Sequence, residues 1–217
     1  MHLADFSYDL PENLIGQRAI EPRDSCRMIV VDRSSQKITH RIFSDLVDIL
    51  DKNTVLVLND TKVFPARLFG HKETGGKIEV LLLKQTGIDS YRCLVRGKVN
   101  PHTKIVFSGD FHGSVSSIEE DGEVNVIFNV SGVELLEKID KEGKTPLPPY
   151  IHSQENENIL RQQYQTVYAE EKGSAAAPTA GLHFTDRLLD ELTKIGVEIE
   201  KVTLHVGLGT FKPITDE

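Results

Sequence analysis

The sequence predicts an α/β domain interrupted by a small six-stranded antiparallel β-barrel, on three observations. From about Ala66 to Asn129 the chain reads as short strands separated by turn residues, with no helical periodicity. On both sides of that stretch, helical patterns alternate with strand-like runs, among them the continuous apolar run Val55-Leu56-Val57-Leu58. Two glycine-bearing loops, Gly173–Gly181 and His205–Phe211, then flank a helix and a strand, the arrangement in which open α/β sheets bind ligands.

In chain order, Met28–Val31 and Ile38–Ile42 flank the turn Asp32–Gln36 as a hairpin. Ser44 is expected to cap a short helix whose apolar side carries Leu46, Val47, Ile49 and Leu50. Val55–Leu58 suits a strand covered on both faces, ending in the polar cluster Asn59-Asp60-Thr61-Lys62. The barrel strands are placed at Arg67–Gly70, Lys77–Lys84, Tyr91–Val95, Lys104–Phe107, His112–Ile118 and Val124–Phe128. Helices follow at Gly132–Lys141, Asn156–Ala169 and Asp186–Ile195, with Thr145–Tyr150 as a stiff proline-rich return. Residues 1–65 and 145–217 thus form a discontinuous α/β domain, and 66–144 the inserted barrel domain.

At 217 residues and 39% hydrophobic content, the chain can bury a real core. Cys26 and Cys93 stand far apart with no metal-ligand spacing, which reads as reduced thiols in the cytoplasm. No run approaches the roughly 18 apolar residues of a membrane span, and Met1–Asp9 lacks the apolar centre of a leader. The 25 basic residues against 33 acidic ones give a net charge of −8, which argues against a broad basic face for nonspecific nucleic-acid binding and leaves room for a local basic patch. With no Trp and 6% aromatics, a stacking platform for single strands has little material.

Four constellations can carry chemistry. In the loop Gly173 to Phe184, Gly and Ala leave backbone N–H groups uncovered, Pro178 fixes a turn, and Thr185-Asp186 can cap the next helix. His183 and His205 stand out among eight histidines because each lies in a glycine-bearing loop, and an imidazole suits proton transfer. Arg23 and Arg27 lie in a Pro-anchored polar loop, as phosphate or carboxylate forks or as surface ion pairs. Lys62 and Arg67 edge either a site or an Asx-turn into the barrel. Ser174 lacks a G-x-S-x-G setting, no Walker loop is present, and Gly207-Leu208-Gly209 has no third glycine at dinucleotide spacing.

Several blocks, taken in order, resemble one family: Tyr8-Asp9-Leu10-Pro11, Glu21-Pro22-Arg23-Asp24-Ser25, Leu58-Asn59-Asp60-Thr61-Lys62-Val63, Pro65-Ala66-Arg67-Leu68, Thr145–Ile151, Tyr164–Ala169, Ala177–Phe184 and Leu204–Phe211. The family is the S-adenosylmethionine:tRNA ribosyltransferase-isomerases of queuosine biosynthesis. The resemblance implies an α/β domain with an inserted barrel. It also implies transfer and isomerisation of the ribosyl group of S-adenosylmethionine onto the aminomethyl-7-deazaguanine wobble base of a tRNA anticodon. Epoxyqueuosine-tRNA, adenine and methionine are the products, with no metal or further cofactor, since S-adenosylmethionine is itself a substrate. Family members continue beyond the equivalent of Pro213, so the C-terminal part of the α/β domain is expected to be missing here.

Within that reading, residue type and loop position make His183 and His205 the proton-transfer candidates. Gly173, Ser174, Ala177, Pro178, Thr179, Ala180, Gly181, Phe184, Gly207, Gly209, Thr210 and Phe211 are candidates for S-adenosylmethionine, with Phe184 or Phe211 against the purine. Arg23, Arg27, Lys62 and Arg67 are candidates for tRNA phosphates. The two histidines are expected to face one pocket. The protein is expected to be a cytoplasmic monomer without membrane contact. A truncated tRNA- or ligand-binding fragment without catalysis is the alternative, and a conventional methyltransferase lacks its early glycine-rich turn.

Overall fold

The computed structural model describes residues 2–120 and 122–207. The hairpin forms as β1 (Arg27–Asp32) and β2 (Lys37–Ile42), antiparallel from Arg27↔Ile42 to Asp32↔Lys37. Ser44 does not cap the helix that follows. A 3-10 turn starts earlier, at Phe43, and leads into α1 (Leu46–Ile49), while the Asp45 carboxylate accepts from the Ile42 N–H at 3.1 Å. The turn starts there because the Phe43 ring is drawn into the core, 5.0 Å from Phe184 and edge-on to it.

β3 (Val55–Asn59) pairs in parallel with β12 (Glu198–Val202), and β4 (Thr61–Val63) pairs in parallel with β11 (Glu171–Ser174). Asp60 joins the two pairs. Its N–H donates to Val202 O at 3.0 Å, its carbonyl accepts from the Glu170 and Glu171 N–H groups, and its carboxylate accepts from the Thr203 hydroxyl at 2.7 Å. The expectation that β3 is covered on both faces is corrected: Leu58 is 5% exposed, but Val55 and Val57 are 53% and 58% exposed. Among the described residues the sheet has two strands, and the core packs on one side of it, where Leu58 meets Phe184, Leu188, Leu192 and Val197.

All six predicted barrel strands are present: β5 (Arg67–Lys72), β6 (Lys77–Gln85), β7 (Ser90–Arg96), β8 (Lys104–Ser108), β9 (Phe111–Ile118) and β10 (Val124–Phe128). They close in the order β10-β7-β6-β5-β8-β9, every pair antiparallel. Closure follows from the alternation, which sends Leu68, Val80, Leu82, Cys93, Ile105, Phe111, Val115 and Val126 inward to 1% exposure or less. Leu135 and Ile139 of α2 (Gly132–Glu142) join the same core. Where the chain leaves for the barrel and returns from it, Arg67 and Lys144 exchange backbone hydrogen bonds as an antiparallel bridge.

The sequence pattern predicts one helix through Asn156–Ala169, whereas α3 is Glu157–Gln163 with Asn156 as its cap. It stops because Tyr164 turns into a small cluster with Val63 and Ala177, while the Arg23 guanidinium takes the carbonyls of Gln162 and Gln165. The chain is thereby freed to extend as β11, a strand the periodicity does not disclose. α4 (Asp186–Lys194) starts at Thr185 as expected, the hydroxyl accepting from the Leu188 N–H at 3.1 Å, and buries Leu188 and Leu192. None of the helices among the described residues is long and apolar enough to cross a membrane.

Candidate substrate cleft

A cleft of 1520 Å³ lies between the barrel with α2 on one side and β4, β11 and the chain after β12 on the other. Lys84, Gln85 and Tyr91 reach it from the barrel and Leu136 and Asp140 from α2; the opposite wall carries Lys62, Lys172, Gly173 and His205. Gly173 is the extra residue of a bulge, since Lys172 pairs with Lys62 but Ser174 pairs with Val63. Its φ of +152° is one that side chains rarely adopt, and a Cβ there would lie 2.7–2.9 Å from three atoms of the His205 ring. The bulge thus makes room for the imidazole, whose Nδ1 is 2.8 Å from the Thr61 hydroxyl.

Ser174 holds this corner from beneath. Its hydroxyl accepts from the Val206 N–H at 2.8 Å and donates to Ala176 O at 2.8 Å. Ser174, Ala175, Ala176 and Ala177 are all buried, and Ala177 packs in a small cluster with Val63 and Tyr164, so this run is packed interior rather than exposed cradle. Pro178 leads into a 3-10 turn, Thr179–His183, with Thr179 and Ala180 exposed and all three outside the cleft lining. Gly181 packs under the Tyr168 hydroxyl, where a Cβ would come within 2.1 Å of the oxygen. Gly207 lines the cleft; Gly209, Thr210 and Phe211 lie outside the described residues.

The expectation that both imidazoles face one pocket is corrected. His183 does not line the cleft; its Nδ1 is 3.1 Å from Cys26 Sγ and its ring centroid 5.2 Å from that of Phe43. Burial lowers the His183 pKa, and burial, with the Asp24 charge acting the same way, raises that of the Cys26 thiol, so the contact joins neutral groups. Phe184, expected against a purine, is 5% exposed and closed in by Phe43 and Tyr168, because the apolar face of α4 needs it as core.

The four cations are not brought together as one patch. Arg23 spends its guanidinium on the carbonyls ending α3, and Arg67 is paired with Glu79 and donates to Leu147 O at 2.8 Å. Arg27 is exposed at the start of β1, and Lys62 alone of the four lines the cleft. Sequence reasoning missed its register partner Lys172, which follows Glu170-Glu171 in the chain. Lys62, Lys84 and Lys172 make no ion pair among the described residues, although like charges side by side on paired strands repel. Two further supports were missed. The Gln165 amide pairs with Val63 like a neighbouring strand, accepting from its N–H at 3.0 Å and donating to its carbonyl at 2.6 Å. Buried Asp24 accepts from the Thr185 hydroxyl at 2.8 Å and from Arg187 at 2.7 Å, tying the loop before β1 to the start of α4.

A family model described as "Queuosine biosynthesis protein" matches residues 3–217. An S-adenosylmethionine:tRNA ribosyltransferase-isomerase of Symbiobacterium thermophilum is 51% identical over 223 residues, which cover 100% of this chain and 64% of that protein. One of Acetivibrio thermocellus is 48% identical over 221 residues, covering 100% of this chain and 64% of its own length. The crystal structure of an S-adenosylmethionine tRNA ribosyltransferase from Thermotoga maritima is 33% identical, covers 93% of this chain and 58% of that one, and superposes with a TM-score of 0.38. The chain thus spans 64% of the length of the two curated relatives. With the family match running from residue 3 to residue 217, the chain belongs to the queuosine biosynthesis protein family.

Proposed function

We propose that the cleft is the reaction site of an S-adenosylmethionine:tRNA ribosyltransferase-isomerase. The observation that carries this reading is the size and lining of the cleft. At 1520 Å³ it exceeds the roughly 300–1,000 Å³ of a pocket for one small ligand, as a site that must hold both S-adenosylmethionine and a tRNA base requires. Among the described residues, one imidazole, a glycine bulge and lysines without an ion pair line it, and the relatives that match the whole chain carry that activity in their names.

In this reading a sulfonium acidifies the carbon beside it and adenine leaves once one of its nitrogens is protonated or hydrogen-bonded. His205 is the residue placed to act on one of these events. The backbone at Gly173 and Gly207 packs against the nucleoside, with Ser174 and Ala177 fixing the loop from below. Lys62, Lys84 and Lys172 take tRNA phosphates, joined by Arg27 where the anticodon stem passes the hairpin. S-adenosylmethionine is consumed as a substrate, no further cofactor is used, and the protein acts as a cytoplasmic monomer.

Product analysis tests the proposal. The chain incubated with S-adenosylmethionine and tRNA carrying the aminomethyl precursor is expected to release adenine and methionine and to yield epoxyqueuosine-tRNA. Formation of S-adenosylhomocysteine, or tRNA binding with no adenine released, would contradict it.

A further inference from the structure

Thr61 has no exposed surface, and its hydroxyl has a single partner among the described residues, His205 Nδ1 at 2.8 Å. A hydroxyl carries one proton, and a side chain with no exposed surface is out of reach of bulk solvent. Were Nδ1 protonated and donating to Oγ1, the hydroxyl proton would be left without an acceptor among the described residues. With Nδ1 bare, the Thr61 O–H donates to it and both groups are satisfied. The ring itself is exposed to the cleft, and its Nε2 makes no hydrogen bond among the described residues. Gly173 faces the Cε1, Nε2 and Nδ1 side of the ring, where a Cβ would lie 2.7–2.9 Å from those atoms.

We infer that Thr61 is a positioning residue that holds neutral His205 as its Nε2–H tautomer, so that the imidazole offers the cleft a hydrogen-bond donor and not a base. The group it meets is therefore an acceptor: a carboxylate or phosphate oxygen, or an unprotonated ring nitrogen such as those of adenine. Its use in turnover rests on the proposed function; the tautomer itself does not. In that reaction the donor polarises the departing purine or holds an oxyanion.

Nitrogen NMR of the imidazole-labelled chain, at a pH where the ring is neutral, reads the tautomer directly. The expected spectrum shows His205 with a bare Nδ1 and a protonated Nε2. Thr61→Ser, which keeps the hydroxyl, retains it, and Thr61→Val, of similar shape, shifts the population toward a mixture. A wild-type ring protonated at Nδ1, or a Thr61→Val spectrum with the wild-type tautomer ratio, would overturn the inference. The proposed function is read separately: with the tautomer as stated, Thr61→Val should lower kcat by about 10²-fold and Thr61→Ser should restore it. If the wild-type chain shows the tautomer but releases no adenine, it is the proposed reaction that fails.

Discussion

Gly173 shows how one missing side chain builds a site. Its Cα stands where a Cβ would push into the His205 ring, and its φ of +152° resists substitution in any case. Gly173→Ala should therefore displace the imidazole from Thr61 and slow turnover by at least about tenfold while the barrel core stays intact. Kinetics beside a thermal melt would show it, and normal turnover would mean that the ring does not need this position. His183 makes the opposite case. Its pKa is lowered by burial, so the unfolded chain, with an ordinary imidazole near 6.5, binds a proton more readily than the folded one. The associated stability is complete above about pH 6.5 and is lost as the pH falls from there toward the lowered folded value. Replacing His183 by Gln should flatten the stability profile in that window, and an unchanged acid slope would contradict the burial argument. Sequence alone could not separate the two histidines, since each follows a strand or turn in a glycine-bearing loop. What divides them is which cluster reaches the ring first, Phe43 and Cys26 or Thr61.

Among the elements, α4 is the most legible and β11 the least. Thr185 ahead of a run with Leu188 and Leu192 on one face announces the helix, and the structure adds that the same hydroxyl donates to Asp24. Thr185→Val removes the cap and one bond to a buried carboxylate, so a loss of about 2 kcal/mol is expected by denaturant titration. A change under a few tenths would mean that the helix end is held by Asp24–Arg187 alone. β11 is four residues, Glu-Lys-Gly-Ser, with no apolar alternation, and it exists because β4 offers an open edge and Gln165 satisfies Val63. No periodicity encodes a strand made by its partner. Gln165→Ala should orphan the Val63 N–H and carbonyl, with a loss of roughly 2 kcal/mol and faster amide exchange at Thr61–Val63. Unaltered exchange there would assign the strand's stability to β11 alone.

At the level of the whole molecule, the barrel was readable because each of its strands alternates and its turns are spaced regularly. The two-stranded parallel pairs were not, because an apolar run such as Val55–Leu58 looks the same whether one face is covered or two. The charge balance hides the cleft in a similar way: a net charge of −8 gives no hint of Lys62 and Lys172 side by side without an acidic partner among the described residues. If both meet phosphates, each single replacement by Ala should lower the magnitude of the tRNA salt slope by about one unit, and Arg67→Ala, already paired with Glu79, should change it less. Equal effects at Arg67 and Lys172 would argue for a different tRNA path. The central claim is that chemistry belongs to the cleft and hence to His205 and not His183. The most direct test is single-turnover adenine release from S-adenosylmethionine and precursor tRNA by His205→Ala and His183→Ala, compared with the wild-type chain. The account predicts a fall of about 10²–10⁴-fold for His205→Ala and near-normal release, per folded molecule, for His183→Ala; the reverse ranking would contradict it.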